Sequence, residues 1–134
     1  DLGAGSPVLS IAAAGLGARR VIAIEHDPDA IANAEENVRR NGVDDRVTVI
    51  EGDARSLLAL VAPVRVVLAN IISSVLLELL PAIAGALDTD GEAILSGMLL
   101  EERPVMEAAF AGSGWRVQDA DAEGAWWSAT IART

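Results

Sequence analysis

The first turn, Asp1-Leu2-Gly3-Ala4-Gly5-Ser6-Pro7, and the acid that closes the next apolar run, Glu25, limit what this chain can fold into more than any other feature. Two glycines one residue apart let a backbone bend sharply and approach a ligand, and a helix starting directly afterwards offers free N–H groups. Val21-Ile22-Ala23-Ile24 is a continuous apolar run, as expected of a strand buried on both faces. Glu25 follows at the carboxyl end, the edge where open α/β sheets bind ligands. The pattern is that of a nucleotide-binding α/β turn, but not of a dinucleotide site. The dinucleotide fingerprint needs a third glycine for close helix–strand packing, and here Ser6, Pro7 and Val8 follow Gly5.

The rest of the chain alternates strand-like and helix-like segments. Pro7 to Leu16 reads as a helix with Pro7 in its first turn and Gly17 as its stop. Asp27-Pro28 opens a second helix that Gly42 closes, with Ile31, Ala34 and Val38 on its inner face. Val47 to Ile50 is the next strand and runs into Glu51-Gly52-Asp53-Ala54. Ser56 to Leu60 forms a short helical turn, and Val64 to Ala69 is a strand ending at Asn70. A helix over about Ser74 to Leu87, a turn at Asp90-Gly91, a strand over Ala93 to Ser96 and a helix over Glu101 to Ala111 follow. Pro104 is tolerable in the first turn of that last helix. Trp115 to Gln118 and Trp127 to Ile131, joined by a turn at Glu123-Gly124, leave no room for a helix and are expected to pair as an antiparallel hairpin.

Length and composition describe one α/β domain over residues 1–134 with ample core material, 51% of residues being hydrophobic. Val66 to Leu87 carries only Glu78 as a charge and is long enough to span a bilayer, but Asn70, Ser73, Ser74, Glu78 and Pro81 interrupt it. A buried strand followed by a helix accounts for it, so no membrane role is expected. Twenty acids against ten bases give a net charge of −10, which repels phosphate backbones and argues against direct nucleic-acid binding. Cysteine is absent, in keeping with a reducing, cytoplasmic setting, and no metal site is expected.

Taken in order, a set of local patterns carries a family likeness. They are Asp1-Leu2-Gly3-Ala4-Gly5-Ser6, Ile11-Ala12-Ala13-Ala14, Leu16-Gly17-Ala18, Glu25-His26-Asp27-Pro28-Asp29-Ala30, and Asn37 with Asn41-Gly42-Val43. Ala69-Asn70-Ile71, Leu95-Ser96-Gly97 and Glu123-Gly124-Ala125-Trp126 complete the set. Over essentially all 134 residues the chain resembles the catalytic domain of the ribosomal large-subunit protein eleven methyltransferases (PrmA family). The resemblance implies a Rossmann-like class I fold dependent on S-adenosylmethionine (SAM), with a doubly wound, mostly parallel sheet and a C-terminal antiparallel hairpin. It implies that the first strand is largely missing and that the N-terminal substrate-recognition domain is absent. A monomeric enzyme is expected, acting on a basic, lysine-bearing ribosomal protein.

Residue roles follow by the same likeness. Gly3 and Gly5, preceded by Asp1, form the cofactor turn, Glu25 binds the ribose hydroxyls, and Asp53 holds the adenine amino group. Asn70 lies beside the methionine part of SAM and serves as the catalytic residue. Two positions depart from the family: Pro7 replaces a usual glycine and Glu25 a usual aspartate. Methyl transfer needs a neutral amine, and no dedicated base is visible, the single histidine, His26, reading as an exposed or adenine-edge neighbour. Asn70 could instead cap the following helix. The tryptophans at 115, 126 and 127 read as packing residues rather than an aromatic cage. A small-molecule methyltransferase of the same fold, or an inactive α/β binding module, remain alternatives. Residues 1–134 alone are expected to be poorly stable and inactive.

Overall fold

The computed structural model describes residues 1–134 and divides into two compact units, residues 1–57 and 58–134. No helix is long and apolar enough to cross a membrane. The suspect stretch resolves into a strand and a helix.

In the first unit, residues 1–4 run parallel beside β1 (Val21–Glu25), with Leu2 bridged to Ile24. Ile24 N–H donates to Asp1 O at 2.8 Å and Ala4 N–H to Ile24 O at 3.0 Å. The chain then enters α1 (Val8–Gly15), where Pro7 stands one position before the helix rather than inside its first turn. The carbonyl of Pro7 accepts the first helical bond, from Ile11 N–H. Helix α2 (Pro28–Arg40) begins as the sequence requires, Asp27 accepting from Asp29 N–H at 2.9 Å with Pro28 at its first position. Strand β2 (Val47–Glu51) pairs parallel with β1, Val21 to Val47 through Glu25 to Glu51. Ala14, Val21, Ala23, Val38, Val43 and Val47 form the core of this unit. Small residues on α1 let it lie close on the strands. Helix α3 (Ala54–Val61) is longer than the expected turn.

The second unit is built on a four-stranded ladder in the order β3–β4–β6–β5: β3 (Val64–Asn70), β4 (Leu87–Leu99), β5 (Trp115–Glu123) and β6 (Trp126–Arg133). Strand β4 runs parallel to β3, while β6 runs against both β4 and β5, so the hairpin forms as expected with Gly124 and Ala125 at its tip. Helix α4 (Ser73–Ala86) supplies Leu76, Leu79, Leu80 and Ile83 to the core, and α5 (Arg103–Gly112), entered through the 3-10 turn Leu100–Glu102, supplies Met106 and Phe110. The ring of Phe110 meets Trp127 with centroids 6.5 Å apart.

Strand β4 differs most from the sequence reading. Pairing with β3 begins at Leu87, where a helix end was expected, and then jumps so that Val64 faces Leu87 but Val66 faces Glu92. Residues 88–91 therefore bulge out of the ladder instead of making a free turn. A second irregularity lies between Leu95 and Met98, where two residues of β4, Ser96 and Gly97, face one of β6. Side chains alternate along a strand, so Leu95 and Met98, three residues apart, would point to opposite faces of a regular strand. The bulge between them restores a common face: both are fully buried, and Met98 meets Trp127.

Gly97 makes this bulge possible. Its φ is +80°, and a Cβ there would lie 2.8 Å from both Ile71 N and Ile71 O, and 2.9 Å from Asn70 Oδ1. Gly97→Ala is expected to cost about 1–3 kcal/mol through the left-handed conformation alone, with further loss from the backbone clash. Urea unfolding of this variant with an unchanged midpoint would show that the bulge relaxes freely.

Candidate functional site

The first unit holds a carboxylate clamped over a glycine turn. Gly3 and Gly5 take positive φ, 63° and 56°, a conformation that costs glycine little. Glu25 is only 6% exposed, and both its oxygens are engaged by backbone. Its Oε2 accepts from Gly5 N–H at 2.7 Å and its Oε1 from Asp27 N–H at 3.0 Å. The longer stem of Glu25, compared with aspartate, lets one carboxylate bond both the turn before α1 and the entry to α2. His26 is 82% exposed with Nδ1 3.3 Å from Glu25 Oε1, so it is the expected exposed neighbour of the acid.

Two further acids expected at the site, Asp1 and Asp53, are engaged elsewhere. Asp1 points its carboxylate at α1, where Oδ2 accepts from Ser10 N–H at 3.1 Å and from the buried Ser10 hydroxyl at 2.7 Å. It fixes the helix to the turn. Asn37 Nδ2–H of α2 reaches Ser6 O at 3.4 Å and holds the far side of the same turn. Asp53 follows β2 and is exposed. Its carboxylate accepts from Arg55 N–H at 2.9 Å and from the Arg55 guanidinium at 2.9 and 3.1 Å. The guanidinium bonds hold the Asp53 carboxyl below the usual range, with the Arg55 backbone bond adding to them. An adenine amino group at Asp53 has to share or displace Arg55.

In the second unit, Asn70 ends β3 at its carboxyl edge and lines a cleft of about 470 Å³ with Ile71, Ile72, Ser96, Gly97 and Trp126. The helix that follows has Ile72 at its cap position and no side-chain cap, so Asn70 does not cap it. Instead the loop is held from behind. Glu102 Oε2 accepts from Ser73 Oγ–H at 2.6 Å and from Leu99 N–H at 3.1 Å, tying the start of α4 to the end of β4. The Ser73 bond and then the Leu99 bond lower the Glu102 pKa, so this tie is present at neutral pH and loosens as pH falls through the folded-state pKa.

Trp126 corrects the reading of all three tryptophans as packing. Trp115 and Trp127 are buried, Trp127 beneath the Arg103 guanidinium at 5.3 Å, but Trp126 is 54% exposed and forms a wall of the Asn70 cleft. The signal was in the sequence. Two consecutive residues of a strand point to opposite faces, so Trp126 and Trp127 could not both enter one core. Ser96 and Gly97 entered the sequence reading only as part of a family pattern, because a bulge leaves no periodic mark.

The profile of the family described as Ribosomal protein L11 methyltransferase (PrmA) matches residues 1–134. A ribosomal protein L11 methyltransferase of Heliobacterium modesticaldum is 42% identical over 133 residues, covering 99% of this chain and 41% of the relative. The chain thus spans about two fifths of the length of that relative. The crystal structure of a ribosomal protein L11 methylase from Lactobacillus delbrueckii superposes with a TM-score of 0.90 at 32% identity, over 99% of this chain and 68% of that one. An RNA methyltransferase of Salinibacter ruber, solved with S-adenosyl-L-homocysteine, shares the fold at a TM-score of 0.77 and 23% identity, covering 97% of this chain and 76% of the other. The fold is that of the class I methyltransferases, and the chain belongs to the ribosomal protein L11 methyltransferase (PrmA) family.

Proposed function

We propose that this chain is the catalytic portion of a SAM-dependent protein N-methyltransferase that modifies lysine or N-terminal amines of a large-subunit ribosomal protein. The observation that carries the reading is the buried carboxylate of Glu25 on the Gly3–Gly5 turn, within a chain of the L11 methyltransferase family. A carboxylate held in place by two N–H groups keeps lone pairs for a pair of ribose hydroxyls. The turn itself presents no side chain at Gly3 or Gly5 to obstruct a ligand. SAM supplies an electrophilic methyl group on a positively charged sulfur. In the reaction the amine nitrogen forms a bond to that methyl carbon as the carbon–sulfur bond breaks, and the nitrogen then releases a proton.

Lysine is protonated at neutral pH, its ordinary pKa being about 10.4, so the site must admit the neutral amine. The cleft at Asn70 supports this. Ile71, Ile72 and the Trp126 indole give it apolar walls that disfavour the ammonium form, while the Asn70 carboxamide and Ser96 offer acceptors that orient an N–H. Asn70 then acts by positioning, with water taking the proton. The net charge of −10 suits a basic substrate. Because the chain covers 41% of the relative from Heliobacterium modesticaldum, we also propose that residues 1–134 alone are inactive.

Two variants test these roles in a form extended upstream. Glu25→Ala is expected to weaken SAM binding by about ten- to a hundredfold, from loss of charged hydrogen bonds of about 1.5–3 kcal/mol. Calorimetry showing wild-type affinity would remove Glu25 from the site. Asn70→Ala is expected to reduce turnover by about a hundredfold through lost positioning, with little change in melting temperature because Asn70 caps no helix. A variant that melts early yet turns over normally once folded would return Asn70 to a structural role.

A further inference from the structure

Beside the cleft at Asn70 lies a second one of about 460 Å³, walled by Leu99, Leu100, Glu101 and Ala125. The two adjoin through Trp126, which follows Ala125 in the chain and faces Leu99 across the ladder. Leu100 N–H donates to Ala125 O at 2.7 Å, which fastens the 3-10 turn to the hairpin tip beside the second cleft. The walls are aliphatic apart from one group. Glu101 is exposed, and its carboxylate meets no cation or N–H of the chain, in contrast to its neighbour Glu102, which is bonded to Ser73 and Leu99.

An aliphatic cleft with an unpaired carboxylate among its walls has a definite chemical complement. A lysine or arginine side chain lays its methylene stem on apolar surface and keeps its cation at the polar end. An acidic or phosphate-bearing occupant would meet Glu101 and the field of a chain with net charge −10. An uncharged apolar occupant would leave the carboxylate unanswered.

Resting on the reading of this chain as a protein amine methyltransferase, we infer that the cleft between Leu99 and Ala125 receives a basic side chain of the substrate polypeptide flanking the acceptor amine. Glu101 is its counter-charge. The acceptor amine occupies the Asn70 cleft while the neighbouring basic residue is held on the other side of the Trp126 indole. Glu101 therefore selects among amines by their sequence surroundings and touches none of the reacting atoms.

The test is a titration of the upstream-extended form with two short peptides that share an acceptor lysine and carry either lysine or norleucine beside it, following the three indole N–H signals by NMR. Both are expected to move the Trp126 signal, since that indole borders the acceptor cleft, and to leave those of Trp115 and Trp127 in place, with the flanking-lysine peptide binding about three- to fivefold more tightly. Glu101→Gln is expected to weaken the flanking-lysine peptide by about three- to fivefold, the effect of an exposed charge pair, and Glu101→Lys by about tenfold or more. These differences are expected to vanish at about 0.5 M salt, where charges separated by several ångströms are screened. Equal binding of the two peptides, or Glu101→Lys binding like wild type, overturns the proposal. Methyl incorporation into ribosomal protein L11 is measured separately, on the upstream-extended form. Absent transfer with the difference between the two peptides intact sinks only the methyltransferase reading, and transfer with no difference between them sinks only the basic subsite.

Discussion

The contact on which the first unit depends is the grip of two backbone N–H groups on Glu25. A carboxylate that is 6% exposed has lost most of its hydration and is tolerated only because Gly5 and Asp27 replace the water. The same two bonds fix the conformation of the glycine turn and the start of α2. Burial, turn and helix entry are thus one arrangement, and its chemistry is available to a ligand because carboxylate oxygens accept more than one hydrogen bond each. Asp1 with Ser10, and Asn37 with Ser6, hold the turn from two further directions. Asp1, expected to touch a cofactor, is part of the frame that holds the turn.

Much of this was legible in the sequence because local rules acted without competition. Asp27-Pro28 specifies a helix start by capping and by a fixed φ, and the start falls there. The uninterrupted apolar run Val21–Ile24 specifies a doubly buried strand, and β1 is one, while β2, whose run includes Thr48, pairs with it in parallel over five residues and stays partly exposed. The placement of Glu25 and Asn70 at strand carboxyl ends followed from strand length alone. Less was legible where a tertiary contact decides. Asp90-Gly91 has turn chemistry, yet the parallel pairing of β4 with β3 absorbs residues 88–91 as a bulge. The partner of Asp53 could not be read, since a guanidinium two residues on serves as well as a ligand would.

In the second unit the site is made by irregularity. Asn70, Ser96 and Gly97 meet where β4 departs from regular pairing, and Ile71, Ile72 and Trp126 complete the walls of the cleft. Glu102 stabilises the departure by bonding Ser73 and Leu99 at once. A regular ladder would have been easier to foresee and would have had no concavity at that edge.

The adjacency of Trp126 and Trp127 places a particular limit on how this fold can vary. One indole is core and the next is surface, and only the parity of β6 distinguishes them. Substitutions at the hairpin tip, at Gly124 or Ala125, leave that parity alone. A change of one residue in the length of β6 between Trp127 and Ala129 exchanges the faces, bringing Trp126 into the space under α5 and Trp127 into the cleft. Divergence along this hairpin is therefore free in composition but restricted in length, and gaps in sequences sharing this fold should fall at the tip or in pairs.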